Sequence, residues 1–387
     1  MRLGERKKVH LTHPIAKRIM RAIMTALLAR RAILPILFLL AMVCGAGASG
    51  AAAGGGSFAA QYPMPGSPYQ VAVEAPNLVW ATLPAQNAIV RLTLTSPGVY
   101  DVALFGLPPG SEPYDIAFAA GRVWFTDRLG NRIGSLDPAS DPAAPAWTWY
   151  PIENTPNSEP TGITVIVGEP IEVWFAERAG NKLGRLTVSG MGPVTFNEYP
   201  LPQPYANAYP ENISATTTEA IWFTAPGISR IGRFKLSYWD WNPDAFYLVS
   251  TGSGSQPWDI KVAPDGAPWL TEPRGNRILK WNLQTFTYFN EYRLPISAST
   301  PYVLDIARGV IWFTERDGNR VGQLQPMDPS ASIMREFALP GVAPTGIAVD
   351  ATGCAWIAAS NPDKIISWCP PYFHFAFLPL VVKNKGG

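Results

Sequence analysis

Seven prolines are each followed by a residue placed to bind or to do proton chemistry: Tyr69, Tyr114, Thr161, Glu211, Trp258, Tyr302 and Thr345. The next positions add Gln70, Asp115, Asn212 and Asp259. Tyr and Trp combine a flat apolar body with a polar tip, which suits sugar faces and aromatic groups. The carboxylates of Asp115, Glu211 and Asp259 could serve a hydrolase or lyase, alone or around a metal. Proton abstraction near neutral pH is most often assigned to His, and the three His of this chain, His10, His13 and His374, lie far from the series. No phosphate loop, CxxC zinc pattern or nucleophile elbow is present. The series reads either as a cup for a small amphipathic ligand, built from Tyr69, Tyr114, Asp115, Glu211, Trp258, Asp259 and Tyr302, or as packing. No residue is assigned a catalytic or metal-binding role.

The elements that would position this series repeat. Val310-Ile311-Trp312-Phe313-Thr314-Glu315 runs into Gly318-Asn319-Arg320-Val321-Gly322. Related stretches centre on Trp124, Trp174, Trp222 and Trp269, and weaker ones on Trp80 and Trp356. The Trp-to-Trp spacings are 44, 50, 48, 47, 43 and 44 residues, a period that signals a propeller, solenoid or array. Trp, Phe, Ile and Val form strands, and Gly-Asn supplies the positive φ of a tight turn. A strand precedes each Trp, as in Pro257-Trp258-Asp259-Ile260-Lys261-Val262. Another follows, as in Glu198-Tyr199-Pro200-Leu201-Pro202. Four strands per repeat and seven repeats predict an all-β, seven-bladed β-propeller.

In such a propeller the proline-led strand is innermost, so the seven positions ring one mouth of the central channel. The two readings become a ligand cup or a plug. Phe58 to Met64 looks like a fourth strand without its first three, and blade 7 lacks its own fourth strand after Trp368. The N-terminal strand is therefore expected to complete blade 7, leaving no open edge. Asp127, Glu177, Glu272 and Glu315 are each followed closely by an Arg and read as paired surface charges closing blade turns. Asn131, Asn181, Asn276 and Asn319 read as turn formers. Cys354 and Cys369 lie equidistant from the last turn and are a candidate disulfide, with two buried thiols as the alternative.

Nine of the 31 Lys and Arg, but only one of the 29 acids, lie in the first 31 residues. The remainder carries 22 bases against 28 acids, about −6, which argues against a nucleic-acid partner. The basic head, the apolar run Ala32 to Val43 and the small residues after it have the three parts of an export signal. An uncleaved membrane anchor and lipid modification at Cys44 are the alternatives. The chain divides into 1–56, signal or anchor with a Gly/Ala-rich linker; 57–371, the propeller; and 372–387, an apolar tail. An exported or cell-surface monomer is expected, binding a small molecule, carbohydrate or protein.

The unit Glu-Tyr-x-Leu-Pro, Pro-x-Gly-Ile, Val-Trp-Phe-Thr-Glu-x-x-Gly-Asn-Arg-Ile-Gly resembles the repeat of the virginiamycin B lyase (streptogramin lyase) family. The resemblance covers residues 58 to about 370. It implies a seven-bladed propeller that opens the ring of type B streptogramins by elimination, using Mg²⁺ and a His base. The Pro-His pairs of the family's last two repeats correspond here to Pro301-Tyr302 and Pro344-Thr345. The family's Glu positions fall on Ala343 and, approximately, Ser360; only Tyr69 matches. The expectation is a lyase-like propeller without the lyase's base or metal ligands: a binding module with no cofactor. The alternative is a diverged carbon–oxygen lyase or hydrolase, with Mg²⁺ only in that case.

Overall fold

The computed structural model describes residues 58–369, apart from 97, 191, 216–218, 237–244, 283–288 and 327–331. The segment expected to direct export, Cys44, the C-terminal tail and all three His lie outside the described residues.

Alternation along one strand builds the ring. Successive side chains of a strand leave opposite faces of its sheet. In Ile171–Glu177, Trp174 packs into a core with Ile213, Ile221 and Phe223 of the blade that follows. Its neighbour Phe175 packs with Trp124 and Ile133 of the blade before. Repeated around the chain, this yields seven buried clusters, each shared by two adjacent blades. The blades are seven four-stranded antiparallel sheets, and the first six run from inner to outer strand in chain order.

The seventh blade joins the two ends. Its inner three strands are Ala343–Val349, Ala355–Ser360 and Lys364–Cys369. Its outer strand is Phe58–Pro63, as the missing fourth strand predicts. The register runs from Phe58 opposite Cys369 to Pro63 opposite Lys364. Tyr62 and Met64 are buried in the cluster that also holds Trp356, Ile365 and Val79, so the closing strand joins the core between blades 7 and 1. Cys354, just before the second strand of this blade, and Cys369, the last residue of the third, are disulfide-linked with Cα atoms 4.2 Å apart.

In blades 2, 3, 4 and 6 a glycine of the third strand allows this packing. Gly184 stands opposite Phe175 in register, and Gly134, Gly232 and Gly322 stand opposite Phe125, Phe223 and Phe313. A Cβ on Gly184 would lie 2.1 Å from the Phe175 ring, which is fully buried and cannot swing away. Gly184→Ala is expected to cost about 1–3 kcal/mol through overpacking. Gly106→Ala, where nothing lies within 4 Å, should be close to neutral. Thermal melts of the two variants make the comparison, and equal melting temperatures would remove the packing argument.

The turn acids differ from expectation. Asp127, Glu177, Glu272 and Glu315 are fully buried rather than at the surface. Asp127 and Glu272 pair with Arg132 and Arg277, five residues on, and not with the arginines that follow them. Asp127 also accepts the N–H groups of Glu112 and Gly130 at 2.8 and 3.0 Å. In blade 2 the turn folds its own acid inward, where it satisfies backbone donors that burial would otherwise strand.

Candidate functional site

One hydroxyl recurs at the blade interfaces and sets the mouth. The Thr of the Trp-Phe-Thr stretch accepts the N–H of its own inner strand and donates to a carbonyl of the next blade. Thr82 donates to Tyr114 O at 3.0 Å, Thr126 to Thr161 O at 2.6 Å and Thr224 to Trp258 O at 2.9 Å. Thr271 donates to Tyr302 O at 2.7 Å and Thr314 to Thr345 O at 2.8 Å. The five carbonyls belong to five of the seven residues that follow the blade prolines. Blades 3 and 7 have Ala176 and Ala358 where the others have Thr. There the mouth residue makes the link itself: Thr161 donates to Glu211 O at 2.8 Å and Thr345 to Pro68 O at 3.1 Å. Thr161 and Thr345 therefore tie blades together, and the other five side chains face the axis.

Those five converge. Tyr69 Oη lies 2.8 Å from both Tyr114 Oη and Tyr302 Oη, and Tyr114 donates to Glu211 Oε1 at 2.8 Å. Glu211 Oε2 pairs with Arg178 Nε at 3.0 Å. Trp258 stacks on Tyr302 with ring centroids 5.1 Å apart and planes at 22°. The rings of Tyr69 and Tyr114 are 4.7 Å apart. Side chains from blades 1, 2, 4, 5 and 6 thus form one floor across the mouth. Arginines stand around it: Arg128 Cζ lies 4.9 Å over Tyr114, and Arg316 Cζ 5.0 Å over Tyr302.

Burial chiefly pushes the Tyr69, Tyr114 and Tyr302 phenols above their ordinary range, so all three keep their protons at neutral pH. A phenol has one proton to donate. Tyr114 gives its proton to Glu211, so Tyr69 gives its own to Tyr114 and Tyr302 donates to Tyr69. The chain of donors points inward, toward the carboxylate. Burial raises Glu211, while Tyr114, Arg178 and Arg128 act to lower it.

Asp115 and Asp259 lie one residue deeper and serve the backbone. Asp115 accepts from Ile116 N at 2.8 Å and, in the next blade, Ile163 N at 2.9 Å. Asp259 accepts from Leu304 N at 2.8 Å. Burial raises both carboxyls, Asp259 to about 6, while the charge of Lys261 acts to lower them. Among the described residues no group of three or more His, Cys, Asp or Glu is placed to hold a metal ion. Sequence reasoning found the floor residues but missed the arginines as part of the mouth, because in the repeat they looked like partners of the turn acids. It also missed a second use of the turn asparagines. Asn131 adopts φ 52° and bonds the chain entering the next blade, donating to Ile152 O at 2.9 Å and accepting Ser158 N at 2.7 Å.

The comparisons agree with this architecture. The model of the virginiamycin B lyase family matches residues 51–239. A solved structure described as streptogramin B lyase aligns with a TM-score of 0.69 at 25% identity, covering 81% of this chain and 98% of that one. A catalytically inactive virginiamycin B lyase from Staphylococcus aureus, solved with quinupristin, aligns at 0.67 and 26% identity, covering 81% and 99%. YCF48 bound to D1 peptide aligns at 0.61 with 12% identity, covering 85% and 100%, and shows the fold alone. No curated protein sequence matches the chain. By its repeat, its seven closed blades and these matches, the chain is a seven-bladed β-propeller similar to the virginiamycin B lyase family.

Proposed function

We propose that the protein is an exported binding propeller that seats a small amphipathic ligand on the floor of Tyr69, Tyr114, Glu211, Trp258 and Tyr302. The observation that carries this reading is the hydrogen-bonded phenol set joined to the Glu211–Arg178 pair, with Trp258 stacked beside it. A floor whose hydroxyls are already oriented loses little freedom when a ligand arrives. Among the described residues no three carboxylates gather at one point to hold a metal, which favours binding over metal-assisted chemistry. The exported placement draws on the basic head and apolar run of the N-terminus.

The test is a thermal-shift screen of the purified protein against sugars, peptides and macrolactones. A ligand at a hundred times its Kd raises stability by about 2.7 kcal/mol through mass action. Tyr69→Phe removes the hydroxyl that joins the other two, and Trp258→Ala removes the stacking face. Both variants are expected to lose the shift by tenfold or so in affinity, while the ligand-free protein still folds. A shift that survives both substitutions places the ligand elsewhere. Ring opening of a type B streptogramin with Mg²⁺ at enzymatic rates, followed by mass and absorbance, would return the protein to the lyases.

A further inference from the structure

Arginines occupy the same place in blades 2, 3 and 6. The backbone N–H of Arg128 donates to Glu112 O at 2.9 Å, that of Arg178 to Glu159 O at 3.1 Å and that of Arg316 to Thr300 O at 3.1 Å. In blades 2 and 3 the same acid also meets the guanidinium. Arg128 holds Glu112 through two bonds of 2.8 and 2.7 Å. Arg178 reaches Glu159 at 3.1 Å and Glu211 at 3.0 Å. In blade 6 the acid's place is taken by Thr300, whose hydroxyl donates to Asp317 at 2.6 Å. Among the described residues Arg316 has no ion pair. It is exposed, and its guanidinium lies over Tyr302, the ring that stacks on Trp258. The mouth is therefore electrostatically lopsided. Its blade 2 and 3 side is neutralised, and its blade 6 side presents a cation beside the flat aromatic pair.

We propose that the mouth selects ligands carrying a carboxylate on a flat apolar body, with the carboxylate on Arg316 and the body against Trp258 and Tyr302. This assignment rests on the mouth being a ligand seat and names the class of ligand. A guanidinium presents a planar fork that matches a carboxylate with two parallel bonds. The ligand's carboxylate would supply the partner that Glu112 and Glu159 supply in blades 2 and 3. The phenols add no competing donor, because each proton of the set is spent toward Glu211.

The probes are naphthalene-2-acetate and its neutral primary amide, titrated by ligand-observed NMR. The wild-type protein is expected to bind the acid more tightly than the amide, on the order of tenfold, with the preference shrinking as salt screens the exposed cation. Arg316→Ala brings the two affinities together. Thr300→Glu is the second variant: Thr300 has φ 58° and Glu159 φ 51°, so the new side chain fits a backbone that already carries Glu in blade 3. Its carboxylate occupies Arg316, so T300E also abolishes the preference while the amide still binds. If acid and amide bind the wild type equally, the mouth remains a ligand seat and the carboxylate assignment is wrong. A preference that persists in both variants overturns it too. If neither probe binds, the mouth reading fails and takes this assignment with it.

Discussion

Deleting residues 58–65 is expected to unfold the propeller or to lower its melting temperature far more than any single substitution. Phe58–Pro63 is the outer strand of blade 7, with six residues in register against Lys364–Cys369. Without it that strand's outer edge is open to other chains, which invites aggregation. Burying one large apolar side chain contributes about 1.5–3 kcal/mol, and the deletion removes both Tyr62 and Met64 from the core between blades 7 and 1. It also removes the bonds from Lys364 Nζ to Gln61 Oε1 at 2.9 Å and from Met64 N to Asp363 O at 3.1 Å. The loss should reach several kcal/mol, within the whole stability of many domains. Circular dichroism melts and size-exclusion profiles measure it. Deleting residues 373–387, which lie outside the described residues, is the comparison and should be milder. A soluble 58–65 deletion that melts with the wild type would show that strand pairing does not close this ring.

Stability is expected to peak near pH 5 and to fall as pH rises toward 8.5. Burial first, and then the Glu198 charge, hold Glu177 up to about 8 from an ordinary 4.5. Burial chiefly holds Glu315 up to about 7, with Glu336 adding to it and Ser299 and Arg320 opposing. For both groups the folded pKa exceeds the unfolded one, so the folded state binds the proton more tightly. Their stabilisation is complete below about pH 4.5, is lost between 4.5 and about 8, and then levels off. Each unit of difference corresponds to about 1.4 kcal/mol. Glu198 has the opposite sign. Despite partial burial, Thr155 and Lys182 hold it low, so its contribution fades only below its ordinary 4.5. Glu177→Gln and Glu315→Gln keep a neutral side chain at every pH and should flatten the decline. A wild-type melting temperature that is as high at pH 8.5 as at pH 5 contradicts the assignment of these groups.

Period and strand chemistry were enough, from the residues alone, for seven blades, four strands in each and closure by the N-terminus. Those features depend on local pattern: the Trp spacing, the Gly-Asn turns and the count of strands, each visible without knowing any contact. The ring of residues after the blade prolines was legible for the same reason, since strand position dictates which residues reach the channel. What the side chains do there was not. Asp115 and Tyr114 are adjacent in sequence, yet one carboxylate holds the next blade's backbone while the other residue's hydroxyl joins the floor. The turn acids looked like surface charges because an Arg follows them; only the folded turn sends them inward, where Asp127 and Glu272 meet a base five residues on. Thr126 and Thr161 have the same side chain in different strands, and both prove to be links between blades. Arg316, like Arg128, directly follows a Trp-Phe-Thr-acid run. Its missing partner lies sixteen residues earlier, at Thr300, and counts as missing only because the fold brings those two turns together. Sequence determined the elements, because each is encoded in a few neighbouring residues. Tertiary structure decided the partners, because a hydrogen bond or ion pair depends on groups that meet only after the blades have closed.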